Sequence, residues 1–127
     1  MTNLPADLKY APTHEWVSVE EDQIVRVGIT DFAQQQLGDL VYIQLPEMDR
    51  TLSENEQCAV VESVKTASDL FSPVSGKVVA INSAIVDEPE KVNENAFGTW
   101  LFCIKADDLS GLDKLMSADE YQQMIDE

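Results

Sequence analysis

The stretch Ala59-Val60-Val61-Glu62-Ser63-Val64-Lys65-Thr66-Ala67-Ser68-Asp69-Leu70-Phe71 reads as two β-strands folded about Val64 and Lys65. β-Branched and aromatic residues suit a pleated surface, and the lysine falls at the fold. Two-residue hairpin loops favour Asn, Asp or Gly, and the Val64-Lys65 pair contains none of them. A tight turn here must therefore be imposed by the strand pairing on either side. A lysine presented in this way is solvated, free to move and open to an enzyme that acylates its amine. Taken alone, these residues fit an ordinary surface lysine at least as well, so the rest of the chain has to decide.

Working outward, short segments of high β-propensity recur between turn signals at Glu15–Val19, Ile24–Ile29, 40–45, 58–63, 66–71, 77–82 and 100–105. Val25, Val27 and Ile29, and again Val41, Ile43 and Leu45, fall on alternate positions and turn one face of each strand to a core. The chain is mostly β, and strands this short and this dense predict a barrel or sandwich. A weak internal echo supports two similar halves. Gly38, Val41 and Ile43 are matched by Gly76, Val79 and Ile81, each set leading to a proline (Pro46, Pro89) and a further apolar strand. Lys65 sits between the halves. Helical signals lie at the edges. Asp31 with Gln34 resembles a capping box, Ala33 and Leu37 share a face, and Gly38 can end the turn. From about 108, Leu109, Leu112, Leu115 and Met116 recur at helical spacing. Ser117 with Glu120 then forms a second capping box ahead of Tyr121, Met124 and Ile125. Two short C-terminal helices are expected to cover an open face or edge of the β core, a partner-binding helix being the alternative.

A chain of 127 residues with 44% apolar content supports one buried core and hence a single domain over 1–127. Its net charge of −16 disfavours nucleic acid and anionic membrane surfaces, both of which present phosphate. Partners should be neutral or basic. The start, Met1 to Leu8, lacks a basic leader, and no apolar run approaches the ~20 residues of a membrane span. A soluble protein of the bacterial cytoplasm is expected. Cys58 and Cys103 lie in apolar runs without CxxC spacing and are expected to be buried thiols. With a single histidine and no ligand-spaced cluster, metal catalysis is not expected.

The octet Glu62-Ser63-Val64-Lys65-Thr66-Ala67-Ser68-Asp69, followed by Ser72-Pro73-Val74-Ser75-Gly76, resembles the lipoylation site and following turn of glycine cleavage H proteins. The resemblance extends to Tyr10 with His14-Glu15-Trp16, to Val27-Gly28-Ile29-Thr30, and to Gly38-Asp39 with the Leu45-Pro46-Glu47 turn. It continues through Asn82, Pro89, Val92-Asn93 and Gly98 shortly before Trp100. It departs at Asp49 and Thr99, where the family usually has glycine. Asp tolerates positive φ, whereas a β-branched threonine does not, so Thr99 puts its loop geometry in doubt.

The resemblance implies a lipoyl-type barrel-sandwich hybrid of two antiparallel sheets, with Lys65 as the lipoyl-lysine in the context of Glu62, Ser63, Val64 and Thr66. It implies a non-enzymatic carrier served by lipoate-attaching enzymes. Such a carrier takes an aminomethyl group from a pyridoxal-phosphate glycine decarboxylase to a tetrahydrofolate-dependent aminomethyltransferase, and electrons to an FAD-containing dihydrolipoyl dehydrogenase. The carried nitrogen can be cationic, so a nearby carboxylate could shelter it. Glu15, beside His14, is the candidate, a solvated strand carboxylate being the blander reading. The alternatives are a lipoyl carrier for lipoate transfer or another dehydrogenase complex, and a biotin carrier. The latter's lysine usually sits between methionines, where Val64 and Thr66 stand here. A cysteine hydrolase using His14 with Cys58 or Cys103 lacks any motif that joins those groups.

Overall fold

A computed structural model describes residues 8–125; the expectations for the first seven and last two residues lie outside it. The strands are β1 (Lys9–Tyr10), β2 (Glu15–Val19), β3 (Ile24–Ile29), β4 (Leu40–Gln44), β5 (Thr51–Leu52), β6 (Gln57–Ser63), β7 (Ala67–Phe71), β8 (Gly76–Ile81) and β9 (Phe102–Ala106). They form two antiparallel sheets, one ordered β1-β2-β3-β9-β8-β5 and the other β4-β6-β7. The core lies between the sheets, where Val25, Val27, Ile43, Val61, Phe102 and Ile104 are fully or almost fully buried. Each such side chain contributes roughly 1.5–3 kcal/mol by leaving water. The echo corresponds to β4 and β8, which pair with β6 and β9 in different sheets. The β6–β7 hairpin stands between the two halves.

Alternation holds on β3, where Val25, Val27 and Ile29 are buried. It fails on β4. The register shifts between Leu40 and Tyr42, so Leu40 and Ile43 point inward while Val41 is 56% exposed. An extra residue in one strand of a pair moves the following side chains to the other face, which is why the expected Val41–Ile43–Leu45 stripe breaks.

α1 (Asp31–Leu37) is capped at Thr30, one residue before the anticipated cap at Asp31. Thr30, extended in backbone, accepts from the Ala33 amide at 3.2 Å, while Asp31 is already helical and its Oδ1 accepts from Gln34 Nε2 at 2.8 Å. Gly38, at φ 84°, ends the helix as expected. Two short helices that the sequence pattern does not reveal, α2 (Ala84–Asp87) and α3 (Glu90–Glu94), pack beside β4 through Ile85 and Val92. The first of the expected C-terminal helices is only a 3-10 turn, Ser110–Lys114. Met116 instead pairs with Tyr10, its N–H donating to the Tyr10 carbonyl at 2.7 Å and its carbonyl accepting from the Tyr10 N–H at 2.9 Å. The open edge of β1 thus takes the backbone groups that a longer helix would have used. The second box forms as expected. Glu120 N–H donates to Ser117 Oγ at 3.2 Å, and Ser117 N–H to Glu120 Oε1 at 2.9 Å, ahead of α4 (Ala118–Ile125). α4 covers the β1 edge through Tyr121, stacked on Tyr10 at 5.0 Å. Asp49 takes φ 68°, as its turn requires, whereas Thr99 is extended at φ −120° and carries no positive-φ strain.

Candidate functional site

The hairpin folds at Val64 and Lys65. Val61 pairs with Ser68 and Glu62 with Ala67, and Ser63 N–H donates to the Thr66 carbonyl at 2.7 Å. Neither tip residue has a positive φ, so Asn or Gly is not needed. Strand pairing does not close the turn alone. The nearly buried Ser63 hydroxyl accepts from the amides of Lys65 at 3.2 Å and Thr66 at 3.1 Å. Val64 N–H donates to the Asp39 carbonyl at 3.2 Å, tying the tip to the start of β4. A serine just before a turn can hold its backbone in this way, and that was the available signal at Ser63. Lys65 is exposed, as are Val64 and Thr66, with Glu62 half-buried. The Lys65 stem passes Gly38, its Cε lying 3.5 Å from where a Cβ would stand on that glycine. Its ammonium makes no ion pair among the described residues.

Beside the hairpin runs a cleft of about 270 Å³ between α1 and the inner ends of β6 and β7, lined by Thr13, His14, Phe32, Leu37, Val61 and Leu70 among others. His14 sits in its wall at φ 76°, with its ring 5.0 Å from that of Phe32. His14 Nδ1 and the Tyr121 hydroxyl share a hydrogen bond of 2.7 Å, and a second of 2.7 Å joins that hydroxyl to Thr30 Oγ1 at the cap of α1. Burial lowers the His14 pKa and pushes the Tyr121 phenol up to about 12, so both stay neutral near pH 7. The C-terminal helix is thereby fastened to the cleft wall.

Glu15 is not a solvated strand residue. It is 1% exposed, with Oε2 accepting from the Phe71 amide at 3.0 Å and Oε1 accepting from the Thr13 hydroxyl. Burial raises its pKa, and the bonds from Thr13 and Phe71 oppose that rise. The carboxylate links β2 of one sheet to β7 of the other. It also lines a second pocket of about 260 Å³ with Phe71 and Pro73, and Thr13 borders both cavities. A buried carboxylate next to an apolar cleft is suited to a small cationic group that arrives with its own apolar chain. Thr13 is not singled out by the sequence, and Asp39 and Tyr121 enter it without these roles, because the roles depend on partners on other elements.

Cys58 and Cys103 are buried and free, as expected. Burial, reinforced by the Glu15 charge, pushes the Cys58 thiol up to about 12, and burial also raises Cys103, so neither supplies a thiolate nucleophile near pH 7. Among the described residues no cluster of His, Cys, Asp or Glu is fit to hold a metal ion, and no helix is long and apolar enough to cross a membrane.

Comparison with known proteins converges on one family. The family model described as glycine cleavage H-protein matches residues 8–127. The glycine cleavage system H protein of Methylococcus capsulatus is 51% identical over 127 residues, covering all of both chains. That of Shewanella woodyi is 52% identical over 128 residues, covering all of this chain and 99% of its own. Among solved structures, the crystal structure of a glycine cleavage system H protein from Mycobacterium marinum superposes with a TM-score of 0.89 at 39% identity, covering 98% of this chain and 100% of that one. The two-sheet architecture is thus the barrel-sandwich hybrid.

Proposed function

The chain belongs to the glycine cleavage H-protein family, and on that premise we propose that Lys65 is the residue that bears the lipoyl group, in amide linkage at Nζ. A protein of this family is the lipoyl-carrying shuttle of the glycine cleavage system. The observation that carries the assignment is an exposed primary amine, free of ion pairs among the described residues, at the tip of a turn held by Ser63 and Asp39. Glu62, Ser63, Val64 and Thr66 form the surface that an attaching enzyme meets around it. Acylation of Nζ removes the ammonium charge, so the extended side chain can lie on apolar surface without burying a cation. When bound, the lipoyl group supplies the sulfur chemistry that takes up the aminomethyl group and passes on electrons.

The protein's own residues then present, shelter and dock. Val61, Leu37 and Leu70 offer the cleft an apolar wall, and His14 is fixed in that wall by Tyr121. Glu15, whose Oε1 accepts from the Thr13 hydroxyl, would supply a charge-assisted hydrogen bond to the carried nitrogen in its cationic form. No acid or base of the chain is required, so the protein acts as a non-catalytic carrier, its whole length serving as one domain. The partners assigned are glycine decarboxylase with pyridoxal phosphate, aminomethyltransferase with tetrahydrofolate, dihydrolipoyl dehydrogenase with FAD, and the lipoate-attaching enzymes. The relatives are bacterial, and a bacterial cytoplasm is the compartment this reading assigns. Fragment mass spectrometry after lipoate attachment tests the site: the added mass is expected on the peptide holding Lys65, and its appearance on any other lysine instead would refute the assignment. Glu15→Gln should speed the loss of the carried aminomethyl group to water, and an unchanged rate would remove Glu15 from the sheltering role.

A further inference from the structure

Asn93, half-buried on α3, engages its amide oxygen and both of its N–H donors. Its Oδ1 accepts from the Leu40 amide at 2.8 Å, and its Nδ2 donates to the Gly38 carbonyl at 2.9 Å and to Gln34 Oε1 at 2.9 Å. Those partners fix which end of the amide is oxygen, because an N–H needs an acceptor and a carbonyl needs a donor. Two of the bonds fall on either side of Asp39. The Asp39 carbonyl is the group that receives the Val64 amide, one residue before Lys65. Leu40 is in turn the strand partner of Ser63, whose hydroxyl holds the Lys65 and Thr66 amides. Gly38, the first residue of the clamped segment, lies against the Lys65 stem. A continuous series of hydrogen bonds and backbone contacts therefore runs from α3, anchored by the fully buried Val92, to the turn that carries the lysine.

We infer that Asn93 is a positioning residue for lipoyl attachment: by clamping Gly38 and Leu40 it fixes the Asp39 carbonyl and sets the aim of the Lys65 amine. The inference rests on Lys65 being the attachment residue. The exposed turn buries little apolar surface, so its order depends on these hydrogen bonds and it loosens when their support is removed. An attaching enzyme needs the amine in line with an activated acyl carbon, and small displacements of a reacting atom are costly in rate. The side chains that an attaching enzyme meets keep their identity and the core packing is unchanged, so the effect falls mainly on the aim of the amine in the chemical step.

The test measures initial rates of lipoate transfer by a purified lipoate–protein ligase, with lipoate and ATP, onto the full chain as wild type, Asn93→Ala, Asn93→Asp and Lys65→Arg. Amide hydrogen exchange at Val64 and at Val27 accompanies it. Asn93→Ala is expected to lower kcat by about tenfold with KM changed less than about twofold, and to speed exchange at Val64 by about tenfold while Val27 is unchanged. Asn93→Asp keeps the acceptor for Leu40 but loses both donors. Its second oxygen faces the Gly38 carbonyl and Gln34 Oε1, both acceptors, so it should show the same pattern at least as strongly, and either folded variant decides the matter. Wild-type kcat in a folded variant, or exchange at Val27 accelerated as much as at Val64, would overturn the inference. Lipoyl mass on Lys65→Arg, or none on wild type, would instead overturn the Lys65 assignment on which it stands.

Discussion

Within one hairpin, the tip and the base obey different physics. At the tip Val64 is 72% exposed and Lys65 stands in solvent, the turn being held by the Ser63 hydroxyl and the Asp39 carbonyl. At the base Leu70 is 2% exposed, and the Phe71 amide donates to a carboxylate that is itself 1% exposed. The amine proposed to bear the lipoyl group is placed where changing it costs the fold almost nothing. The groups proposed to receive the arm are built into the packing, where a change costs stability as well.

Leu70→Ala should show the largest stability effect. It deletes a core side chain that also walls the cleft, and a loss of about 2–5 kcal/mol is expected by chemical denaturation. A loss below about 1 kcal/mol would mean that the base of the hairpin packs as loosely as its tip. Tyr121→Phe should come next. It removes the hydroxyl shared by His14 and Thr30 and leaves both without that partner, for about 1–2 kcal/mol. Unaltered stability would detach α4 from the cleft wall.

A smaller effect is expected from Glu15→Gln, and it is confined to a pH window. Burial holds the Glu15 carboxyl above its ordinary 4.5, so the native state binds that proton more tightly than the unfolded chain does. The stability this contributes is complete below the unfolded value and is lost as pH rises through the folded value. Urea midpoints for wild type and variant should therefore move in the variant's favour as pH climbs past 4.5, and parallel profiles would contradict the assigned burial.

The difference between the two regions also explains how much the sequence disclosed. β3 is bounded correctly because an alternating apolar stripe is a local signal that nothing interrupts there, and β2 because its β-propensity stands between turn signals. The turn at Val64 and Lys65 is placed by the flanking strands, and the Ser117–Glu120 box by a pattern of four residues. Val41 escaped because a bulge is invisible to a period-two count. α2 and α3 escaped because each is shorter than two turns and carries a single buried residue, Ile85 or Val92. Glu15 is singled out by the sequence but its burial is not, since the Phe71 amide that donates to it is 56 residues away. Asn93 belonged to the quoted motifs without a role, because its three partners lie on α1, at the end of that helix and at the start of β4.

The smallest stability change should accompany the greatest loss of function. Lys65→Arg alters an exposed tip residue, so the fold should change by no more than ~0.5 kcal/mol. Its delocalised guanidinium is not an amine that lipoate attachment can use. The most direct measurement is the intact mass of wild type and Lys65→Arg after identical exposure to the lipoate-attaching machinery, followed by glycine-cleavage turnover, with circular dichroism confirming that both are folded. Wild type should gain the lipoyl mass and support turnover, while the folded variant gains neither mass nor activity. A folded Lys65→Arg protein that took up the lipoyl group or sustained turnover would contradict the account at its centre.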